Sequence, residues 1–267
     1  MTLENLYRSS ILPFRQHLLV SKGVFRSSLR ILLYLAALPL ISYSFMYIYI
    51  GDGTVESIMA MPQSIAFVIF FLNILIFMVL IPFIMTITQR FVYNKPFSFS
   101  EMLRDVGKRL LPLTLGFLLL GAGLALLFTA VLAVIPLFTS QTGFTLFSLL
   151  YFAVVVYVYL NILFWSHFVV LAEMNTLSSF RESRKVFKRH GRQMITYTLS
   201  LAFLSLIFLN GIAWILSALI RNAMAANVTL AFVQSIVLIF SQIMLTSFFM
   251  NFSLFGSDAP DATSSQS

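Results

Sequence analysis

The chain has no cysteine among its 267 residues, which excludes disulfides, thiol catalysis and cysteine-ligated metals. Charge is nearly as scarce: 10% of the residues are Asp, Glu, Lys or Arg, against roughly a quarter in soluble domains. Histidine is confined to His17, His167 and His190, in separate segments and without a second ligand at helical spacing, so no metal site is expected. There is no Gly-x-Ser-x-Gly elbow and no Gly-rich phosphate loop ending in Lys-Ser or Lys-Thr. The sequence therefore predicts no cofactor and no enzymatic centre of a familiar kind. Its amino end also lacks the apolar core and small-residue cleavage site of a secretory signal.

What the chain has in abundance is apolar surface, 60% of its residues, with a mean hydropathy of +0.95. Runs of about 20 such residues can cross a hydrocarbon layer roughly 30 Å thick as helices, because only helices and closed barrels satisfy their backbone there. Six runs qualify, at about 29–50, 64–88, 110–135, 145–171, 195–220 and 229–255, and none shows the alternation of barrel strands. The expected fold is all-α: one polytopic membrane domain over 1–255, followed by a small, polar tail at 256–267 that is too poor in apolar residues to pack.

The basic residues orient these spans. Arg8, Arg15, Lys22, Arg26 and Arg30 precede or open the first; Arg90, Lys95, Arg104, Lys108 and Arg109 lie between the second and third. Arg181, Arg184, Lys185, Lys188, Arg189 and Arg192 lie between the fourth and fifth. By the positive-inside rule this side is cytoplasmic, with both termini on it, and only Arg221 falls on the other. The net charge of +8 is thus aimed at one membrane face, which favours anionic lipid and not nucleic acid as a partner.

Two of the basic connections resemble each other. Ile81 to Glu101 and Ile162 to Glu182 align without a gap at Ile, Phe, Asn, Ser, Phe and Glu, ending in Ser98-x-x-Glu101 and Ser179-x-x-Glu182. Each reads as a capping box, in which the serine accepts an amide of the first turn and the glutamate reaches back to the cap. Phe99, Met102, Val106 and Leu110 then form one apolar stripe; in the second segment Phe180, Phe187 and Met194 recur among the arginines and lysines. The expectation is two short amphipathic helices lying in the cytoplasmic interface, each leading into a span. A looser third copy at the amino end, with Pro13 at a first helical position, predicts three units of interfacial helix plus membrane hairpin.

The segments "LYRSSILPFRQHLL", "PFSFSEMLRDVGKRLLPL" and "FVVLAEMNTLSSFRESRKVFKRHGRQMI" resemble a YciC-like family of bacterial six-span inner-membrane proteins. That family is similar in turn to the membrane domain fused to some glycerophosphodiester phosphodiesterases. The resemblance implies a bacterial cytoplasmic membrane and no established activity. These residues hold no hydrolase domain, so the phosphodiesterase label is not carried over.

Within the span interiors no charged side chain occurs, Arg30 and Glu173 standing at span edges, which removes the usual carboxylate of an ion-coupled transporter. Amides and hydroxyls remain, among them Asn73, Asn161, Ser166, His167, Asn210, Gln234, Ser241 and Gln242. Asn161, His167 and Asn210 are the candidates for an intramembrane polar site, with helix-to-helix bonding as the plainer reading. Gly121, Ala125, Thr129 and Ala133 form a small-residue stripe suited to close helix approach, within the chain or in a homo-oligomer or with another membrane protein. Three functions remain open. The first is a non-enzymatic protein organising anionic lipids or partner proteins through Arg104, Lys108, Arg109, Arg181, Arg184, Lys185, Lys188, Arg189 and Arg192. The second is a facilitator or exporter component whose Asn and Gln side chains line one path. The third is a membrane-embedded lipid enzyme using His167 with Glu173.

Overall fold

The computed structural model describes residues 3–50, 61–134, 141–220 and 222–255, and among them every regular element is helical. In chain order these are α1 (Leu3–Ser9), α2 (Phe14–Ser27), α3 (Leu29–Ile50), α4 (Gln63–Leu75), a π-helical turn (Ile76–Leu80) and α5 (Ile81–Val92). They are followed by α6 (Phe99–Val134), α7 (Gln141–Ile162), α8 (Trp165–Leu171), α9 (Thr176–Leu219) and α10 (Ala223–Leu254). Six helical stretches are long and apolar enough to cross a membrane: Leu29–Tyr49, Gln63–Val92, Phe99–Leu127, Thr145–Leu171, Thr176–Leu219 and Met224–Leu254. The protein is an all-α polytopic membrane protein. The tail at 256–267, Arg221 and most of the first external connection lie outside the described residues.

The chain divides into two compact units, residues 1–106 with 196–267, and residues 107–195. The divisions fall inside α6 and α9. In the first unit α10 is the hub, lying against α1, α2, α3 and α5. α5 is buried from Ile81 through Thr88, and the hydroxyls of Thr86 and Thr88 are satisfied by donating back to the carbonyls of Pro82 and Ile84, at 3.0 and 2.8 Å. Pro82 lacks an amide and its ring crowds the carbonyl four residues back, at Met78; the π turn Ile76–Leu80 contains that residue and absorbs the conflict. Asn73 then ties α4 to α3 by donating to Ser42 Oγ at 3.2 Å.

The second unit is organised around Trp165. Its indole packs with Leu113 and Val169, meets Phe117 edge-on at 5.3 Å and stacks on Phe180 at 5.1 Å. Gly116 permits this, since a Cβ there would run into the indole ring. Ser183 splices the break between α7 and α8: its Oγ donates to the Asn161 carbonyl at 2.9 Å and accepts from the Phe164 amide at 3.2 Å. Thr176 Oγ1 donates to the Pro112 carbonyl at 2.7 Å, pinning the start of α9 to α6.

Two expectations need correction. The first basic segment is not a separate short helix: it runs without a break into its span as α6, 36 residues long. The second does form a short helix of its own at 176–189, parted from the span half of α9 where His190 leaves helical geometry, φ −125°, ψ 18°. The second capping box also fails. α9 starts at Thr176, and Asn175 is its cap, with Oδ1 accepting from the Ser178 amide at 2.9 Å and from its hydroxyl at 2.7 Å. Ser179 is buried in the first turn and donates to the Asn175 carbonyl at 2.8 Å, while Glu182 pairs with Lys185 at 2.6 Å. Ser98 does immediately precede α6, and its carbonyl accepts from the Met102 amide at 3.0 Å. Its partner Glu101 turns instead to Arg90, at 2.9 Å.

Candidate functional site

In the first unit the amino-terminal helices are fastened to the end of α10 by a buried polar cluster. Pro13 stands one position before the place expected for it, at the N-cap of α2, where its carbonyl accepts from Gln16 and His17. α2 buries His17, Val20, Ser21 and Val24, one face at three- and four-residue spacing. His17 Nδ1 and the Tyr7 hydroxyl both meet Ser247 Oγ, at 2.8 and 2.6 Å. One turn further along α10, Asn251 accepts from the Leu12 amide at 2.8 Å and donates to the carbonyls of Tyr7 and Ser10 at 3.0 and 2.9 Å. Phe248 covers His17 edge-on at 4.8 Å, and Tyr197 donates to the Leu12 carbonyl at 2.8 Å. Burial lowers the His17 imidazole to a pKa of about 4 and raises the Tyr7 phenol to about 12. At neutral pH both are uncharged, so the cluster is a neutral clasp that fixes the roll of α2 about its axis.

That roll places a second face of α2 over an apolar groove of about 600 Å³. Phe14, Leu18 and Phe25 of α2 form one wall; Leu204 and Phe208 of α9 and Phe240 of α10 contribute the others. The groove follows α9 from Leu201 to Phe208 and α10 from Ile236 to Met244, about 10–12 Å at 1.5 Å per residue. Its few polar atoms include the hydroxyls of Ser205 and Ser241, 3.4 Å apart. Next to the groove wall, Arg15, Lys22 and Arg26 are exposed and have no acidic partner among the described residues.

In the second unit the first third of α9 turns its apolar stripe onto protein. Phe180 stacks on Trp165, Phe187 meets Tyr157 edge-on at 5.9 Å, and Met194 is buried. Arg181, Arg184, Lys185, Lys188, Arg189 and Arg192 are exposed, and of the first five only Lys185 has a carboxylate partner among the described residues. Lys108 is exposed as well, whereas Arg109 is half-buried and pairs with Glu173 at 2.5 Å. The hydrogen bond from Arg109 holds the Glu173 carboxyl below its usual range, at a residue whose φ of 59° is uncommon outside glycine and asparagine. Arg104, in the first unit, is exposed, and its neighbour Asp105 lies 3.7 Å from Arg90.

Comparison with protein-family models, curated proteins and solved structures finds no match. The chemistry of the side chains therefore carries the functional reading.

The intramembrane asparagines bond carbonyls one turn back in their own helices. Asn161 is buried and donates to the Tyr157 carbonyl at 2.7 Å; His167 is buried against Phe164, 5.4 Å between rings; both belong to the second unit. Asn210 belongs to the first, is exposed and donates within its own helix to Leu206 at 2.8 Å. Gln234 accepts from Tyr47 at 2.6 Å, and Asn73 bonds Ser42 and the Ile69 carbonyl. Of the small-residue stripe, Gly121, Ala125 and Thr129 are exposed, and the side chain of Ala133 lies outside the described residues. Sequence reasoning overlooked Ser247 and Asn251. The readable signal is their i, i+4 spacing on one face near the end of the last span, together with His17 and Tyr7 in a segment polar enough to answer them.

Proposed function

We propose that this integral membrane protein gathers anionic lipid at its cytoplasmic face through the exposed basic flank of α9, without catalysing a reaction. One observation carries the reading. The apolar stripe of the segment is consumed by the rings of Trp165 and Tyr157, which leaves Arg181, Arg184, Lys188 and Arg189 projecting away with no carboxylate among the described residues to neutralise them. Uncompensated guanidinium and ammonium groups beside an apolar span match phosphate headgroups, each contributing about 1 kcal/mol near an anionic surface. The YciC-like resemblance implies a bacterial cytoplasmic membrane, and the placement of the basic residues favours both termini on its inner side. The facilitator reading gains no support from these side chains: Asn161 and Asn210 bond carbonyls of their own helices, while Asn73 and Gln234 tie α4 and α10 to α3. The enzyme reading is disfavoured because Glu173 is exposed and held by Arg109 while His167 is buried.

The test is native mass spectrometry of the protein released gently from its own membrane, recording which lipids and proteins stay bound. Reversing Arg184, Lys185, Lys188 and Arg189 to glutamate should reduce retained phosphatidylglycerol at least about tenfold. His167→Ala should leave it unchanged. Equal retention in the two variants overturns the proposal, and loss of a stoichiometric protein in place of lipid would make the flank a protein-docking surface.

A further inference from the structure

The groove of the first unit has features that a bare lipid-facing surface does not need. It is a concavity of about 600 Å³, within the roughly 300–1,000 Å³ range of sites that take small organic ligands. Its run of about 12 Å along α10 approaches the depth of one leaflet, half of a hydrocarbon core roughly 30 Å thick. The part of α10 that lines it, Ile236 to Met244, spans the middle of that helix, and the part of α9 begins at Leu201, five residues after Thr196 enters the unit. The α2 wall, on the helix that carries Arg15, Lys22 and Arg26, closes the groove on the basic side of the protein.

α2 supplies the second half of the argument. At 100° per residue its side chains fall into three adjoining sectors: the buried face of His17, Ser21 and Val24, the groove wall of Phe14, Leu18 and Phe25, and then Lys22, Arg15 and Arg26. The clasp on Ser247 and Asn251 holds the first sector inward, and so presents the second to the groove and the third to its rim. An occupant must therefore be apolar along its length and anionic at one end. We propose that this groove binds one acyl chain of an anionic phospholipid of the inner leaflet, with the phosphate of its headgroup held by Arg15 and Lys22. This deepens the reading of the protein as a lipid organiser, but it rests on different residues, so the two surfaces can fail separately.

The experiment uses the full-length protein in vesicles containing a small fraction of phosphatidylglycerol or of phosphatidylcholine, each with the same photoactivatable group midway along one acyl chain. After illumination, the labelled residues are located by mass spectrometry. The unmodified protein should be labelled within 201–208 and 236–244, and at least about fivefold more by phosphatidylglycerol, the factor expected for one basic contact at an anionic surface. Arg15→Gln with Lys22→Gln, both at exposed positions, should erase that preference while leaving phosphatidylcholine labelling as it was. Leu204→Trp, which fills the groove, should halve labelling by both lipids or reduce it further.

Equal labelling of the unmodified protein by the two lipids, or phosphatidylglycerol label spread evenly over exposed faces such as Leu111 and Leu118 of α6, overturns the proposal. This arm needs no variant, so a misfolded substitution cannot rescue it. The charge reversal in α9 serves as the control between readings. Groove labelling that survives it keeps this site whatever becomes of the α9 flank; a lost groove preference beside an intact α9 effect removes this site alone.

Discussion

α2 and the first third of α9 are both basic helices that precede a membrane span, yet they are held in place by different means. α2 is held from the side: Ser247 of α10 bonds its His17 and Tyr7 of α1, Asn251 of α10 bonds the backbone at Tyr7 and Leu12, and Phe248 closes over the histidine. The start of α9 is capped at its end by Asn175, bonded through Thr176 to the Pro112 carbonyl and Ser183 to the Asn161 carbonyl, and packed through Phe180 and Phe187 on the rings of Trp165 and Tyr157. The polar clasp on α2 fixes its rotation, and with it which residues face a groove. The apolar packing of α9 spends its stripe on protein, and leaves its basic flank open. The two arrangements suit a shaped binding site and a general electrostatic surface, respectively.

The largest expected effect tests the lateral clasp. Asn251→Leu strips partners from the Leu12 amide and from the Tyr7 and Ser10 carbonyls, which should cost about 3 kcal/mol or more, since a buried group left unpaired costs about 1–3 kcal/mol. The expected signs are a lower thermal midpoint in detergent and faster tryptic cleavage at Arg15, with no change in amide exchange at the start of α9.

His17 gives the clasp a pH dependence that the cap of α9 lacks. Below about pH 6.5 the unfolded chain binds a proton that the buried imidazole refuses until about pH 4, so stability is full above that window and falls as the pH drops through it. The loss amounts to at most about 3 kcal/mol. Amide exchange in residues 7–20 should quicken between pH 6.5 and 4, the amides of Thr176 to Arg181 should hold steady, and His17→Gln should flatten the response. An unchanged pH profile in that variant would contradict the assignment.

The smallest effect separates the two matched segments. Asn175→Ala should cost about 1 kcal/mol and expose the Ser178 amide to exchange, because the asparagine caps it. Ser98→Ala should cost a few tenths of a kcal/mol, since the Ser98 hydroxyl lies 3.4 Å from Ser100 Oγ and Glu101 is engaged with Arg90. Equal losses at the two sites would mean that the capping box operates in the first segment after all.

Much of the fold was legible because its signals are long. A run of some 20 apolar residues has few alternatives to a membrane helix, and all six runs lie on helices long and apolar enough to span. The matched motif misled because a capping box is only four letters. Asn175, four residues ahead of Ser179, offers a better cap, and the helix starts there, turning the serine inward. The clasp was obscure because its members lie some 230 to 240 residues apart, and each alone looks like an ordinary polar residue at a membrane edge. The groove left no trace, since its lining is as apolar as any lipid-facing surface.

By itself, then, the sequence determined that this chain is helical, spans a membrane six times and gathers its positive charge between particular spans, because hydrophobic length and charge position act locally. Tertiary structure alone decided which way α2 is rolled, which arginines and lysines meet no carboxylate among the described residues, and where a groove lies beside them. These depend on side chains from distant parts of the chain satisfying one another's hydrogen bonds away from water, and no local pattern encodes that pairing.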